Sequence, residues 1–281
     1  MIVVEEADKL YSQVGSWKDK GLTTGLVPTM GYFHEGHLAL MREARQHADK
    51  TVVSIFVNPR QFGPEEDLDK YPRDLERDIS LAEREGVDVV FFPSVEVMYP
   101  PGYQTTISVP ELTYMLCGRS RPGHFDGVAT VVTKLFNLVR PDLAVFGRKD
   151  YQQLALIRQM VLDLNFNIEI IGHPIVRESS GLAMSSRNKY LLGQERDDAL
   201  CLYNGLQHGI RRVQKSGELP AEQLIEEITE MLNAVKSCEV DYVAIVDPVS
   251  LVGKKTAQSG DVLALAAYFN KKVRLIDNGI L

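Results

Sequence analysis

Pro28-Thr29-Met30-Gly31-Tyr32-Phe33-His34-Glu35-Gly36-His37-Leu38-Ala39-Leu40 decides the fold of this 281-residue chain, because it ends an apolar run, turns through glycine and opens a helical pattern. Residues 23–29 read as a strand and residues 36–48 as a helix, which puts the turn at the carboxyl edge of a sheet. A helix starting there points its free N–H groups and positive dipole end at the edge where nucleotide phosphates bind in open α/β sheets. Gly31 and Gly36 let backbone approach a ligand. His34 and His37, three apart, share one helix face, where both imidazoles can donate hydrogen bonds to phosphate oxygens. A helix cap beside a surface histidine is the plain alternative, and it loses weight when both histidines fall in one such turn. Zinc fits less well, since the metalloprotease pattern sets its histidines four apart and no later cluster supplies further ligands.

Working outward, strands at 50–57, 87–92, 142–147 and 167–172 alternate with helices at 72–85, 127–139 and 151–164. That alternation predicts the α/β class: a Rossmann-like doubly wound parallel sheet over residues 1–175. Stretches 58–71 and 99–125 are rich in proline, glycine and polar residues and are longer than usual connections, as functional loops are. Glu65, Glu66, Asp67 and Asp69 in the first of them read as a solvated loop face. Beyond residue 176 the pattern changes to helices at 194–215 and 220–235, then strands at 240–246, 261–268 and 272–276. Residues 176–281 are therefore expected to form a smaller C-terminal α+β domain. Gly253-Lys254-Lys255-Thr256 superficially suggests a phosphate-binding loop, but Pro248 stands where its first glycine belongs and no helix follows.

The composition, 44% hydrophobic and 25% charged, is that of a globular protein with a full core. A net charge of -7 argues against a surface dedicated to nucleic acid, so a substrate phosphate must be met by a local group of cations. Cys117, Cys201 and Cys238 are widely spaced and form no CxxC pair, so neither a disulfide framework nor a cysteine zinc site is expected and a reducing, cytoplasmic setting fits. The start Met1-Ile2-Val3-Val4 turns at once to Glu5, Glu6 and Asp8, unlike a signal peptide. No run approaches the roughly 18 to 20 apolar residues that span a bilayer, so a soluble protein without a membrane partner is expected.

A second motif, Met184-Ser185-Ser186-Arg187-Asn188, follows the last strand of the sheet and offers hydroxyls and a guanidinium to a triphosphate. With the HxGH turn it resembles the paired HIGH and KMSKS motifs of the nucleotidyltransferase superfamily, which includes the class I aminoacyl-tRNA synthetases. Three further stretches sharpen the resemblance: Val57-Asn58-Pro59-Arg60-Gln61-Phe62, Arg121-Pro122-Gly123-His124-Phe125-Asp126-Gly127-Val128, and Phe146-Gly147-Arg148-Lys149-Asp150-Tyr151-Gln152-Gln153. Together the motifs are similar to those of the pantothenate synthetase family from residue 28 to residue 188, while the last ninety residues add little. Tyr32-Phe33 departs from the smaller or aliphatic residues common there and leaves both histidines in place.

The resemblance implies that (R)-pantoate and ATP form pantoyl adenylate and pyrophosphate, and that β-alanine then displaces AMP to give pantothenate. It implies Mg2+ arriving with ATP, a homodimer, and a catalytic set of His34, His37 and Lys149, with His37 the proton donor toward the leaving pyrophosphate. ATP would also meet Met30, Gly31, Tyr32, Phe33, Glu35, Gly36 and Arg148, with Asp150 toward the ribose and Gly147 and Val176 beside adenosine. Met184, Ser185, Ser186 and Arg187 would close over the phosphates as part of a lid, and Gln61, Gln153 and Asn58 would bind pantoate and β-alanine. The rival enzyme is another HxGH nucleotidyltransferase that moves an adenylyl group onto a small phosphorylated acceptor. Such an enzyme releases no free AMP.

Overall fold

The computed structural model describes every residue of the chain except Glu65 and Asp67. Six parallel strands form the main sheet: β1 (Ile2–Val4), β2 (Thr24–Thr29), β3 (Lys50–Ile55), β4 (Val89–Phe91), β5 (Leu143–Gly147) and β6 (Glu169–His173). Their order in space is β1-β4-β3-β2-β5-β6. The chain steps outward from β2 through β3 to β4, then returns across β2 to lay down β5 and β6. The reversal falls between β2 and β5, and a crevice opens beyond the carboxyl ends of those two strands.

The strands read as near-continuous apolar runs because both faces are covered. Leu26, Val52, Val89 and Ala144 face one core and their neighbours Val27, Val53, Val90 and Val145 face the other. This is the period-two alternation of a strand, with both faces apolar. Helices α1 (Ala7–Lys18) and α2 (Glu35–His47) take opposite faces: Leu10 and Val14 of α1 join the first core, Met41 and Ala44 of α2 the second. α3 (Leu75–Arg84) joins α2, while α7 (His124–Val139) and α8 (Tyr151–Asp163) join α1. Between β4 and α7 lie three single turns, α4 (Val95–Met98), α5 (Pro110–Thr113) and α6 (Cys117–Ser120).

The sequence reading missed β1 and α1. β1 is three residues long at the sheet edge, with Ile2 and Val3 exposed, too short and too one-sided for a periodic signal. The stretch 99–125, expected as loop, contains α5 and α6, whose four residues each carry no detectable period. Of the acidic run, Glu65 and Asp67 lie outside the described residues and Asp69 is exposed, but Glu66 is not a solvated charge, because it forms a bidentate pair with Arg121.

The C-terminal part begins with α9 (Gln194–Asp198) and α10 (Leu200–Ser216), separated at Ala199 where one helix was expected, followed by β7 (Glu218–Pro220) and α11 (Ala221–Asn233). β8 (Cys238–Val246), β10 (Val262–Phe269) and β11 (Val273–Ile280) form an antiparallel sheet in the order β11-β10-β8, and β9 (Thr256–Gln258) pairs with β7. Alternate residues of β10 serve two cores. Leu263, Leu265, Ala267 and Phe269 pack with α10 and α11, whereas Val262 and Ala264 join the larger core along with Val246 and Leu251. The two halves are thus joined by shared apolar packing.

Candidate active site

The crevice at the β2/β5 reversal is lined by Met30, His34, Gly36 and His37 from the β2–α2 turn and by Gly147, Lys149 and Asp150 after β5. Gln61, Gln153, Val176 and the run Met184, Ser185, Ser186 and Arg187 also line it. Residues predicted from motifs some 150 positions apart in the chain therefore face one cavity.

The helix begins at Glu35, one residue earlier than the sequence pattern suggests, which makes His34 the N-cap and His37 the third helical residue. The two rings cap the helix reciprocally: the Gly36 N–H donates to His34 Nδ1 at 3.1 Å, and the His34 N–H donates to His37 Nδ1 at 3.3 Å. The plain alternative of a cap and the functional reading thus describe the same atoms. With each Nδ1 used as an acceptor, the proton of each neutral ring must sit on Nε2, which leaves an N–H donor on both rings. The rings lie 4.1 Å apart at their centroids. A side chain at Gly36 would put its Cβ 2.8 Å from His34 Cε1, so the cap requires glycine there.

Burial, with Lys149 and Arg77 nearby, lowers the pKa of His34 to about 4. Burial, followed by His34 and Lys149, also pushes His37 well below the usual histidine range. Both rings are therefore neutral donors at physiological pH, beside the ammonium of Lys149, whose own ion-pair partner Asp150 is 3.7 Å away.

Asp78 of α3 holds the turn that presents these rings. Its carboxylate, 1% exposed, accepts from the Tyr32 N–H at 2.6 Å and the Phe33 N–H at 2.7 Å. Burial raises its pKa, and the two backbone donors and Arg77 oppose that rise. Tyr32 has φ 51°, a left-handed conformation that a non-glycine residue adopts only when held. Nothing in the sequence singles out Asp78 among the acidic residues of α3.

The opposite wall is apolar: Val128, Val131, Val132 and Leu135 of α7, with Phe56 and Phe146. In sequence they look like ordinary core, and only the missing cover on one side makes them a wall. Gln61 and Gln153 stand beside it. Gln61 is set by a network: Asn58 Nδ2 donates to Gln61 Oε1 at 3.1 Å and to Gly127 O at 3.0 Å, and His124 Nδ1 donates to Gln61 O at 2.7 Å. His124 Nε2 accepts from Arg121, which is itself paired with Glu66. A Cβ on Gly127 would come within 2.3 Å of Arg60 O, so glycine lets the Pro59–Gln61 turn sit against α7. Of the adjacent amides, Gln152 is buried and spent on Leu112 O, Met115 O and the Cys117 N–H, and Gln153 faces the cavity.

Several expected contacts lie elsewhere. Phe33 is 1% exposed inside the second core, and Gly31 is packed against Asp78 and Ile55. Tyr32 lies under Arg77 and Lys189, and Glu35 pairs with Arg42 on the outer face of α2. Arg148 turns away from the cavity, and its Nε donates to Gly172 O at 2.8 Å. Asn58 is 1% exposed and reaches the cavity through Gln61. Motif membership marked these residues, but successive residues of a turn point in different directions. Tyr71, Arg121 and His124 do line the cavity and were not assigned, although the last two stand in a quoted motif. Tyr71 Oη lies 3.2 Å from Ser186 Oγ, joining the Ser/Arg turn to the larger domain across the cavity mouth.

His124, like His34, is held at about 4, by burial and then by Arg121. Below the ordinary value of 6.5 the unfolded chain takes up protons that the folded ring refuses, so folding stability falls as pH drops from 6.5 toward 4. This ring alone should cost about 2 kcal/mol between about pH 7 and pH 5. Urea unfolding of the parent and His124→Gln at both pH values checks the sign and size. The variant should lose less stability by that amount, and equal losses would show that this ring is not the source.

The family model described as pantoate-beta-alanine ligase matches residues 2–280. Pantothenate synthetase of Caldicellulosiruptor bescii is 51% identical over 280 residues, 99% of this chain and 98% of the relative. That of Syntrophobacter fumaroxidans is 52% identical, covering 100% and 99%. The solved pantothenate synthetase of Thermus thermophilus superposes with a TM-score of 0.92 at 45% identity, covering 100% of this chain and 99% of that one. The pantoate-beta-alanine ligase of Francisella tularensis, solved with beta-gamma ATP and beta-alanine, superposes at 0.81 with 35% identity, covering 100% and 97%. With its fold, its HxGH turn and its full-length match to these relatives, the chain belongs to the pantoate-beta-alanine ligase family.

Proposed function

We propose that this ligase joins (R)-pantoate to β-alanine at the expense of ATP, releasing AMP and pyrophosphate. One observation carries the reading: two neutral Nε2–H donors and the Lys149 ammonium share a cavity with a wall of branched apolar side chains beside two glutamine amides. Phosphates suit the first side. A small acid with a dimethyl-substituted carbon and hydroxyls suits the second.

In the first step a pantoate carboxylate oxygen attacks the α-phosphorus and the bond to pyrophosphate breaks. Two anions must meet, so positioning and charge neutralisation govern the rate. His34, His37 and Lys149 take up the charge that develops on the phosphates, with His37 the donor toward the leaving group. Asp150 serves the ribose and Gly147 and Val176 the adenosine, while Ser185, Ser186 and Arg187 keep water from the adenylate at the mouth. Gln61 and Gln153 orient pantoate without pairing its carboxylate to a cation, which would quench its nucleophilicity. In the second step the β-alanine nitrogen attacks the acyl carbon, the acyl–phosphate bond breaks, AMP leaves and the nitrogen loses a proton.

Among the described residues Asp150 is the carboxylate side chain on the cavity wall, and no cluster of three or more His, Cys, Asp or Glu side chains could hold a metal. Mg2+ brought by ATP would accordingly keep phosphate oxygens and water as most of its ligands. We also propose a homodimer, on the family resemblance and the prevalence of that assembly. Among the described residues no helix is long and apolar enough to cross a membrane.

ATP–pyrophosphate isotope exchange with (R)-pantoate and without β-alanine tests the proposal, since only reversible adenylate formation on that acid returns label to ATP. Pantoate-dependent exchange is expected. Its absence in folded, ATP-binding protein would favour transfer of the adenylyl group to a phosphorylated acceptor, against which the valine wall currently argues.

A further inference from the structure

Asn278, on β11 of the smaller domain, is 6% exposed and donates its side-chain amide to two consecutive carbonyls of the larger domain, Arg148 O at 3.0 Å and Lys149 O at 2.7 Å. A carboxamide has two N–H donors, and both are used here. The preceding residue, Asp277, is 3% exposed, accepts the Asn278 backbone N–H at 2.8 Å and grips Arg177 through two bonds of 2.6 and 2.9 Å. Arg177 bridges to Ala183 in the hairpin that leads into Met184–Arg187. Two adjacent residues of one strand therefore hold, from behind the cavity, both segments that carry cations into it. Neither residue was marked in the sequence, where they lie in the stretch with least resemblance to the family.

We infer that Asn278 is a positioning residue for Lys149, fixing the backbone from which the ammonium reaches the phosphates. The inference rests on the reading of Lys149 as the group that neutralises phosphate charge. If it holds, Asn278 acts on adenylate formation alone. The attack of β-alanine on the finished adenylate, and the affinity for pantoate at Gln61 and Gln153, do not pass through it. A strut that merely docks the two domains would instead impair both half-reactions together and lower the melting temperature.

The test compares Asn278→Ala, Asn278→Asp, Lys149→Ala and the Asn278→Ala/Lys149→Ala pair. Three quantities are read: the pantoate-dependent exchange rate, the KM for pantoate, and the consumption of supplied pantoyl adenylate by β-alanine. Asn278→Ala should slow exchange about tenfold or more while leaving KM within about twofold and adenylate consumption unchanged. Asn278→Asp should be worse, because a carboxylate would face two carbonyl oxygens. In the Lys149→Ala background the same change should cost little more, since the group it positions is gone. Asn278→Ser keeps one donor and replaces the alanine variant if that does not fold. Full exchange in Asn278→Ala, or losses that simply add in the double variant, would overturn the inference. Lys149→Ala with full exchange would instead remove the lysine from the chemistry, an outcome separable from the failure of Asn278 alone.

Discussion

His37→Ala should fold and bind ATP yet lose about a hundredfold or more in pantoate-dependent exchange, the effect of removing one donor aimed at developing phosphate charge. The tautomer argument sharpens that expectation. His37 Nδ1 receives the His34 N–H, so Nε2 bears the only proton the ring can offer. Alanine removes this donor and also the acceptor that caps the helix, the latter worth about 1 kcal/mol of stability. Glutamine at the same place separates the two losses, since its Oε1 can accept the His34 N–H as in an ordinary capping box while its amide still presents an N–H. The expected order of exchange rates is His, then Gln, then Ala, with the melting temperature of the Gln variant near that of the parent. Near-normal exchange in the alanine variant would remove His37 from the mechanism.

Asp78→Ala should show the largest loss of stability among single changes around the cavity. The substitution strips two backbone N–H groups, the part-buried one of Tyr32 and the buried one of Phe33, of a charged acceptor at 2.6 and 2.7 Å. Leaving them unpaired costs about 3 kcal/mol or more, seen as a fall in melting temperature of roughly 6 to 12 °C. Activity should fall with it, because the left-handed turn at Tyr32 is held by those bonds and carries both histidines. Asp78→Asn isolates the charge from the shape: one amide oxygen can serve one N–H, while the amide nitrogen faces the other. An intermediate loss is expected. An unchanged melting curve for Asp78→Ala would mean that the turn finds another acceptor and is not held by this carboxylate.

The parts of the site that sequence made legible are those where backbone geometry restricts the residue type. The β2–α2 turn needs glycine where a Cβ would strike the His34 ring, and the histidine spacing follows from the capping positions, so the stretch from Pro28 to Leu40 announces both fold and site. Parallel strands covered on both faces announce themselves by unbroken apolar runs. What stayed hidden depends on partners far along the chain. Asp78 becomes special only through the turn 45 residues before it, and Asn278 only through carbonyls 129 and 130 residues before it. Gln152 and Gln153 are indistinguishable until α8 turns one inward and the other toward the cavity. Arg148, an obvious phosphate ligand on paper, is spent on Gly172 O because the turn carrying Lys149 into the cavity points its neighbour away. The break at Ala199 was also invisible, since no glycine or proline marks it and both alanine and the following Leu200 are helix formers.

The alternation along β10 bears on how substrates come and go. Swinging the C-terminal half outward as a rigid cover would drag Val262 and Ala264, with Val246 and Leu251 beside them, out of the larger core and into water. It would also pull Asn278 off the two carbonyls it holds. Sliding of packed layers is opposed by the same contacts. The contact at the mouth between Tyr71 and Ser186 joins two hydroxyls, which water can replace at little cost. Any outward movement of the C-terminal half therefore has to expose apolar surface and break both Asn278 bonds, whereas the hydroxyl contact at the mouth can be traded for water.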